Sequence, residues 1–119
     1  VGRIKQHLKE VVNICWNYAG KCKTEQDHVM NAITGLMGEA GEVSDQIKKW
    51  YFHAPAYDHA EFRRRLVLEI GDVIFYTLKL MDIFGISLKE VLAANREKLS
   101  SRHPEMGQVT ERFGPGAIR

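Results

Sequence analysis

Cysteine is scarce. Cys15 and Cys22 are the only two among 119 residues. Two thiols make no disulfide framework, and paired metal-ligand spacing is absent, so a stapled secreted scaffold is excluded. They read as reduced thiols in a cytoplasmic protein. No apolar run reaches the length of a membrane span, so no membrane partner is expected. No secretory leader is read at the start, where Val1 stands rather than Met. Strand-like alternation of useful length, internal repeats and low-complexity segments are also missing. Proline occurs three times: Pro55 interrupts the middle of the chain, and Pro104 and Pro115 lie in a C-terminal tail. Basic charge is not concentrated either. Net charge is +2, and the one basic run, Arg63-Arg64-Arg65, is too short to argue for a nucleic-acid polymer and reads as a solvated helix face.

What remains is helical. With 45% hydrophobic and 27% charged residues, the chain suffices for one domain with a modest core. From about residue 3 to 19, Ile4, Leu8, Val11, Val12, Cys15, Trp16 and Ala19 share one side of a helix, which Gly20 ends. Thr24 or Asp27 caps a second helix from about 27 to 52, with an apolar stripe through Ile33, Leu36, Ala40, Val43, Ile47 and Trp50. Pro55 marks a turn. A third helix, about 59 to 84, is the most hydrophobic stretch and is expected to be mostly buried; Gly85 ends it. Ser87-Leu88-Lys89-Glu90 has capping-box form and opens a fourth helix, about 88 to 101. Val91, Leu92 and Leu99 of that helix are expected to pack inward. The tail, residues 103–119, reads as extended or mobile. The expected architecture is all-α: a four-helix bundle over residues 1–102 with a long antiparallel hairpin at its centre.

Two acidic clusters lie in that hairpin: Gly38-Glu39-Ala40-Gly41-Glu42, and Glu69-Ile70-Gly71-Asp72. Each pair, at i and i+3, places two carboxylates on one helical face. A lone pair of this kind is usually a solvated face. Here both sit among apolar residues, and their midpoints stand equally far, roughly 20 Å, on either side of the Pro55 turn. Antiparallel packing therefore makes them face each other. Carboxylates gathered in an apolar setting need a cation or a proton, and an all-carboxylate set favours a hard ion such as Mg²⁺ or Mn²⁺. Such an ion completes its shell with phosphate oxygens, which suits a nucleotide. Lys49, Lys79, Lys98 and Arg102 are placed to hold the remaining phosphate charge, and Tyr76, one turn beyond Asp72, to line the pocket. Asn95, Lys98 and Arg102 share one polar stripe. Gly35, Gly38 and Gly41 suggest close approach of a helix or ligand near the first pair.

The sequence Gly38-Glu39-Ala40-Gly41-Glu42-Val43-Ser44-Asp45, followed by Leu68-Glu69-Ile70-Gly71-Asp72-Val73, resembles the MazG-like nucleoside triphosphate pyrophosphohydrolases of the all-α NTP pyrophosphatase superfamily. Their signature is E-x-x-E, a spacer, then E-x-x-D. Asn95-Arg96-Glu97-Lys98-Leu99-Ser100-Ser101-Arg102 looks like the family's N-x-x-K-x-x-x-R segment. The resemblance covers roughly residues 28 to 102.

The resemblance implies Mg²⁺-dependent cleavage of an NTP or dNTP between its α- and β-phosphates, giving the monophosphate and pyrophosphate. By it, Glu39, Glu42, Glu69 and Asp72 are the metal-binding and catalytic positions. Asn95, Lys98 and Arg102 contact phosphate, and Tyr76 lines the pocket. It also implies a homodimer or homotetramer and a house-cleaning role in the nucleotide pool. The dCTP-preferring relatives carry tryptophan where Lys49 stands, so their base preference is not carried over. Two alternatives stay open. One is a narrower enzyme acting on dUTP, dCTP or phosphoribosyl-ATP; the other is a non-catalytic helical module that binds metal or nucleotide.

Overall fold

The computed structural model describes residues 2–18 and 20–106. They form α1 (Gly2–Tyr18), α2 (Glu25–Phe52), α3 (His59–Ile83), α4 (Leu88–Arg102) and a 3-10 turn at Pro104–Met106, with no strand among the described residues. The fold is all-α, and each helix begins and ends within a couple of residues of the bounds expected from periodicity and caps. The reading of the tail as extended or mobile falls mostly on residues 107–119, outside the described residues.

Local chemistry explains these boundaries. Thr24 caps α2 reciprocally: its hydroxyl accepts from the Asp27 amide at 3.1 Å, and the Asp27 carboxylate accepts from the Thr24 amide at 3.0 Å. Both suggested cap residues thus act together. Asp58 caps α3 by accepting from the Glu61 amide at 2.9 Å. Ser87 and Glu90 form the expected capping box on α4. Each such cap contributes about 1 kcal/mol by satisfying amides that have no partner inside the helix. Gly85 follows the α3 cap with φ +64°, the left-handed conformation that favours glycine.

The chain divides into two units, residues 1–85 and 86–119. In the first, α2 and α3 make the expected antiparallel hairpin and α1 packs on α3. Near the connecting loop, Trp50 of α2 stacks on Phe62 of α3 at 4.7 Å between ring centroids. Further along, the Tyr76 ring covers Gly35 so closely that any Cβ there would overlap it. A Cβ at Gly38 or Gly41 would meet nothing within 4 Å, so the expected close approach is confined to Gly35. In the second unit α4 runs into the 3-10 turn.

The interior is smaller than the sequence suggests. Among the described residues, the buried apolar ones are Cys15, Ala32 and Leu78, joined by the polar Gln46 and Lys79. Val67, Leu68, Ile70 and Ile74 of α3 are exposed, against the expectation that this helix is mostly buried. The reason is geometric: α1 and α2 cover only part of a helix that is apolar nearly all round. On α4, Val91, Leu92 and Leu99 are exposed as well, not packed inward. The arginine run does form a solvated face, tethered by Glu61, whose carboxylate accepts from Arg64 and Arg65 at 2.8 Å each.

These guanidinium groups hold the Glu61 carboxyl down to about 2, from an ordinary 4.5. A lowered carboxyl pKa contributes stability that is present above the unfolded value and lost as pH falls through the folded one. Glu61→Gln should therefore melt slightly below the parent at neutral pH. The difference should vanish on acidification from pH 4.5 toward 2. Thermal melts across that range check this; a gap that persists at the acid end counts against it.

Candidate active site

The hairpin register brings acids from both helices together. Glu69 and Asp72 share a face of α3, and Glu39 faces them from α2. One carboxylate oxygen from each of the three lies within 4.8 Å of the others. Glu39 and Glu69 are half-buried, and Asp72 is exposed. Among the described residues this is the one gathering of His, Cys, Asp and Glu with metal-ligand geometry. Glu42, one turn further along α2, is exposed and falls outside the trio, although its charge acts on Glu39. The expected quartet is thus a trio with a fourth acid beside it.

The charges of the acids act on one another. Partial burial raises the Glu39 pKa, and the charges of Asp72, Glu69 and Glu42 raise it further. Tyr76 is raised first by burial and then by Glu39. The donor set is all oxygen and all anionic, the chemistry of a hard divalent cation. Glu39, Glu69 and Asp72 fit such an ion.

A cavity of about 360 Å³ opens beside the acids, lined by Ile14, Tyr18, Glu39, Asp72, Phe75 and Tyr76. Tyr18 and Phe75 meet edge to face at 6.5 Å, as do Phe75 and Tyr76 at 5.0 Å. Tyr76 therefore lies on the cavity wall, one turn from Asp72. The α1 contribution was not among the expected site residues. A signal existed: Ile14 and Tyr18 are large side chains at i and i+4 that extend the apolar stripe of α1 past Val11. At that spacing the two side chains lie side by side on the helix surface.

The basic residues divide. Lys49 is exposed and paired with Asp45, one turn before it on α2. Lys79 departs from expectation. Its side chain has 0% exposure, and its amine donates to Asn31 Oδ1 at 2.8 Å, away from solvent. Asn95, Lys98 and Arg102 lie on α4 in the second unit, spaced to form one stripe along that helix. Cys15 is buried, donates to the Phe75 carbonyl at 3.4 Å, and has its pKa pushed up to about 11 chiefly by burial; it stays a thiol. No helix among the described residues is long and apolar enough to cross a membrane.

Fold and site together define an all-α protein with a carboxylate centre built across a helix hairpin. Comparison with known proteins gives the family. The sequence profile of the MazG nucleotide pyrophosphohydrolase domain matches residues 27–107, and the chain belongs to that family. It is similar to YvdC of Bacillus subtilis (strain 168), an uncharacterized protein, with 36% identity over 72 residues, 56% of this chain and 68% of YvdC. It is also similar to the gene 37 protein of Mycobacterium phage L5, with 37% identity over 85 residues, 71% of this chain and 73% of the phage protein. No solved structure gives a significant match.

Glu39→Gln removes one of the mutually repelling charges. A carboxyl with a raised folded pKa contributes stability that is present at low pH and lost as pH rises through that value. Without metal, the variant should melt above the parent at neutral pH, and the gap should narrow on acidification as the parent takes up its proton. Added Mg²⁺ should raise the melting temperature of the parent and leave the variant nearly unmoved. Calorimetric melts with and without chelator check both halves; equal Mg²⁺ responses would refute the assignment.

Proposed function

We propose that the protein hydrolyses a (d)NTP to the (d)NMP and pyrophosphate, with Mg²⁺, or Mn²⁺ in its place, held by Glu39, Glu69 and Asp72 and assisted by Glu42. The observation that carries this reading is the meeting of three carboxylates from two helices beside an aromatic-walled cavity, in a chain of the MazG family. When bound, the ion supplies charge stabilisation at the phosphates and acidifies a water.

The chain's own residues do the rest. Glu42, left outside the trio, takes the proton from the attacking water. Tyr76 donates its phenol proton to a phosphate oxygen at the cavity mouth, a hydrogen bond supported by a pKa that keeps it protonated. Lys49 exchanges Asp45 for phosphate. The base lies against Ile14 and against the rings of Tyr18 and Phe75, which offer stacking area.

The exposed apolar side chains on α2 and α3 support a homodimer or homotetramer. Met37 is 72% and Leu68 55% exposed, and surfaces of this kind mark protein–protein contacts when they are contiguous. A house-cleaning role in the cytoplasmic nucleotide pool fits this reading.

A screen of standard and modified dNTPs, with Mg²⁺ and with chelator, should show pyrophosphate release that depends on metal. Glu69→Gln or Asp72→Asn should lower kcat by about 10²-fold or more. Release of orthophosphate would mean a different phosphohydrolase. Turnover of one nucleotide alone would mean the narrower enzyme, and tight binding without turnover the non-catalytic module. Sedimentation of the same sample should give a dimer or tetramer; a monomer at micromolar concentration would remove that part of the reading.

A further inference from the structure

Lys79 is the largest fully buried side chain among the described residues. An ammonium inside a helical bundle is costly to desolvate, and an apolar residue of similar volume is often as stable or more so. Its surroundings return little of that cost. The amine donates to the neutral Asn31 Oδ1 at 2.8 Å and lies 5.8 Å from the centre of the Trp16 ring. The nearby carboxylate, Asp82, is engaged by the Trp16 indole N–H at 2.7 Å. What this arrangement supplies, and a methyl group cannot, is direction. One bond crosses from α3 to α2, and the Trp16–Asp82 bond ties α1 to α3 on the neighbouring turn.

The position of that crossing matters. Going from Asn31 to Gly35 to Glu39 climbs α2 in steps of four. Going from Lys79 to Tyr76 to Asp72 moves back along α3 in steps of three and four. The helices are antiparallel, so these are three successive levels of one interface: the Lys79–Asn31 bond, the Tyr76 ring on Gly35, and the acids. At the third level the protein's own side chains repel, so the acids cannot set the helix register themselves. Most apolar contacts tolerate sliding, because neighbouring side chains of similar size replace one another; the Tyr76 ring on Gly35 resists it by sterics alone, and the Lys79–Asn31 bond by direction. A slip of one residue displaces Glu39 by about 1.5 Å relative to Asp72, and a slip of one turn by about 5.4 Å.

We propose that Lys79 is a positioning residue: its bond to Asn31, two turns from the acids, fixes the α2–α3 register that brings Glu39 opposite Asp72. Buried polar groups are best attested in this registering role. The proposal makes the invariant of the site a distance between helices. It rests on the metal-site reading only for one of its two readouts.

The test replaces both partners, Lys79→Met with Asn31→Leu, so that no polar group is left stranded. Spin labels at Lys48→Cys and Arg63→Cys, both exposed positions, in a Cys22→Ser background, report the register directly; Cys15 is buried from the label. The parent should give one narrow distance distribution. The double variant should keep its helicity and melting temperature, yet its distribution should broaden or shift by at least about 1.5 Å. Its Mn²⁺ affinity should fall by about tenfold or more. An unchanged distribution with unchanged Mn²⁺ affinity overturns the proposal. If the double variant melts too low to measure, Asn31→Asp decides. It keeps the acceptor, so parent-like distances support the proposal and altered ones overturn it. A parent that binds no Mn²⁺ counts against the metal-site reading alone, because the label distances still judge the register.

Discussion

Three carboxylates held within 4.8 Å of one another repel, and the α2–α3 interface must hold them there regardless. For two unit charges about 4 Å apart the repulsion is about 1 kcal/mol in bulk water and about 4 kcal/mol at the effective dielectric of a protein surface. Against a total stability of about 5–15 kcal/mol that is substantial. Two responses are open to the protein. It can let one acid keep its proton, which is the direction in which Glu39 moves, or it can admit a cation. The rest of the hairpin follows from tolerating this repulsion. Trp50 on Phe62 clamps the loop end, and Tyr76 on Gly35 and Lys79 on Asn31 clamp the other side. The unfavourable level is held between favourable ones.

Much of this was legible beforehand because it is local. Thr24, Ser87 and Gly85 act through atoms a few residues away, so their identities suffice to place helix ends. The facing of Glu39 toward Glu69 and Asp72 was legible for a different reason: one turn at Pro55 and a constant rise per residue convert sequence distance into height. The misses are tertiary. An apolar sequence around Glu69 says that Leu68 and Ile70 seek cover, but not whether this chain or another supplies it. Glu69, Asp72, Tyr76 and Lys79 follow one another at steps of three and four, yet such spacing does not say where the row dips beneath a neighbouring helix. At Lys79 it passes between Asn31 and Trp16, and the amine turns inward. Ile14 and Tyr18 were missed because a cavity wall is defined by what it faces, and nothing in α1 names α3 as its neighbour.

The small interior follows from the same division. Cys15, Ala32 and Leu78 cannot by themselves account for 45% hydrophobic composition. A helix apolar on nearly every side packs fully only when surrounded, and α3 has α2 and α1 on part of its circumference. The apolar surplus is thus no defect of the hairpin. It is the portion of its packing that a single copy of the first unit leaves open, and the homo-oligomer in the proposed reading would close it.

The two ends of the proposed site are specified to different degrees. At the acidic end, three oxygen donors from two helices converge, so a shift of one residue alters the set. At the cavity end, the α1 wall is Ile14 and Tyr18 and the α3 wall Phe75 and Tyr76, and the polar atoms these side chains carry are two phenol hydroxyls. Stacking on such walls accepts any flat ring of suitable size, because every base has a π-face. Strong discrimination between bases requires buried donors and acceptors that a wrong base leaves unpaired, and these four side chains supply almost none. On the proposed reading, the phosphate chain is therefore what this part of the protein reads closely, while the base is accommodated by shape. That division suits an enzyme whose substrates share a triphosphate and differ in what it is attached to.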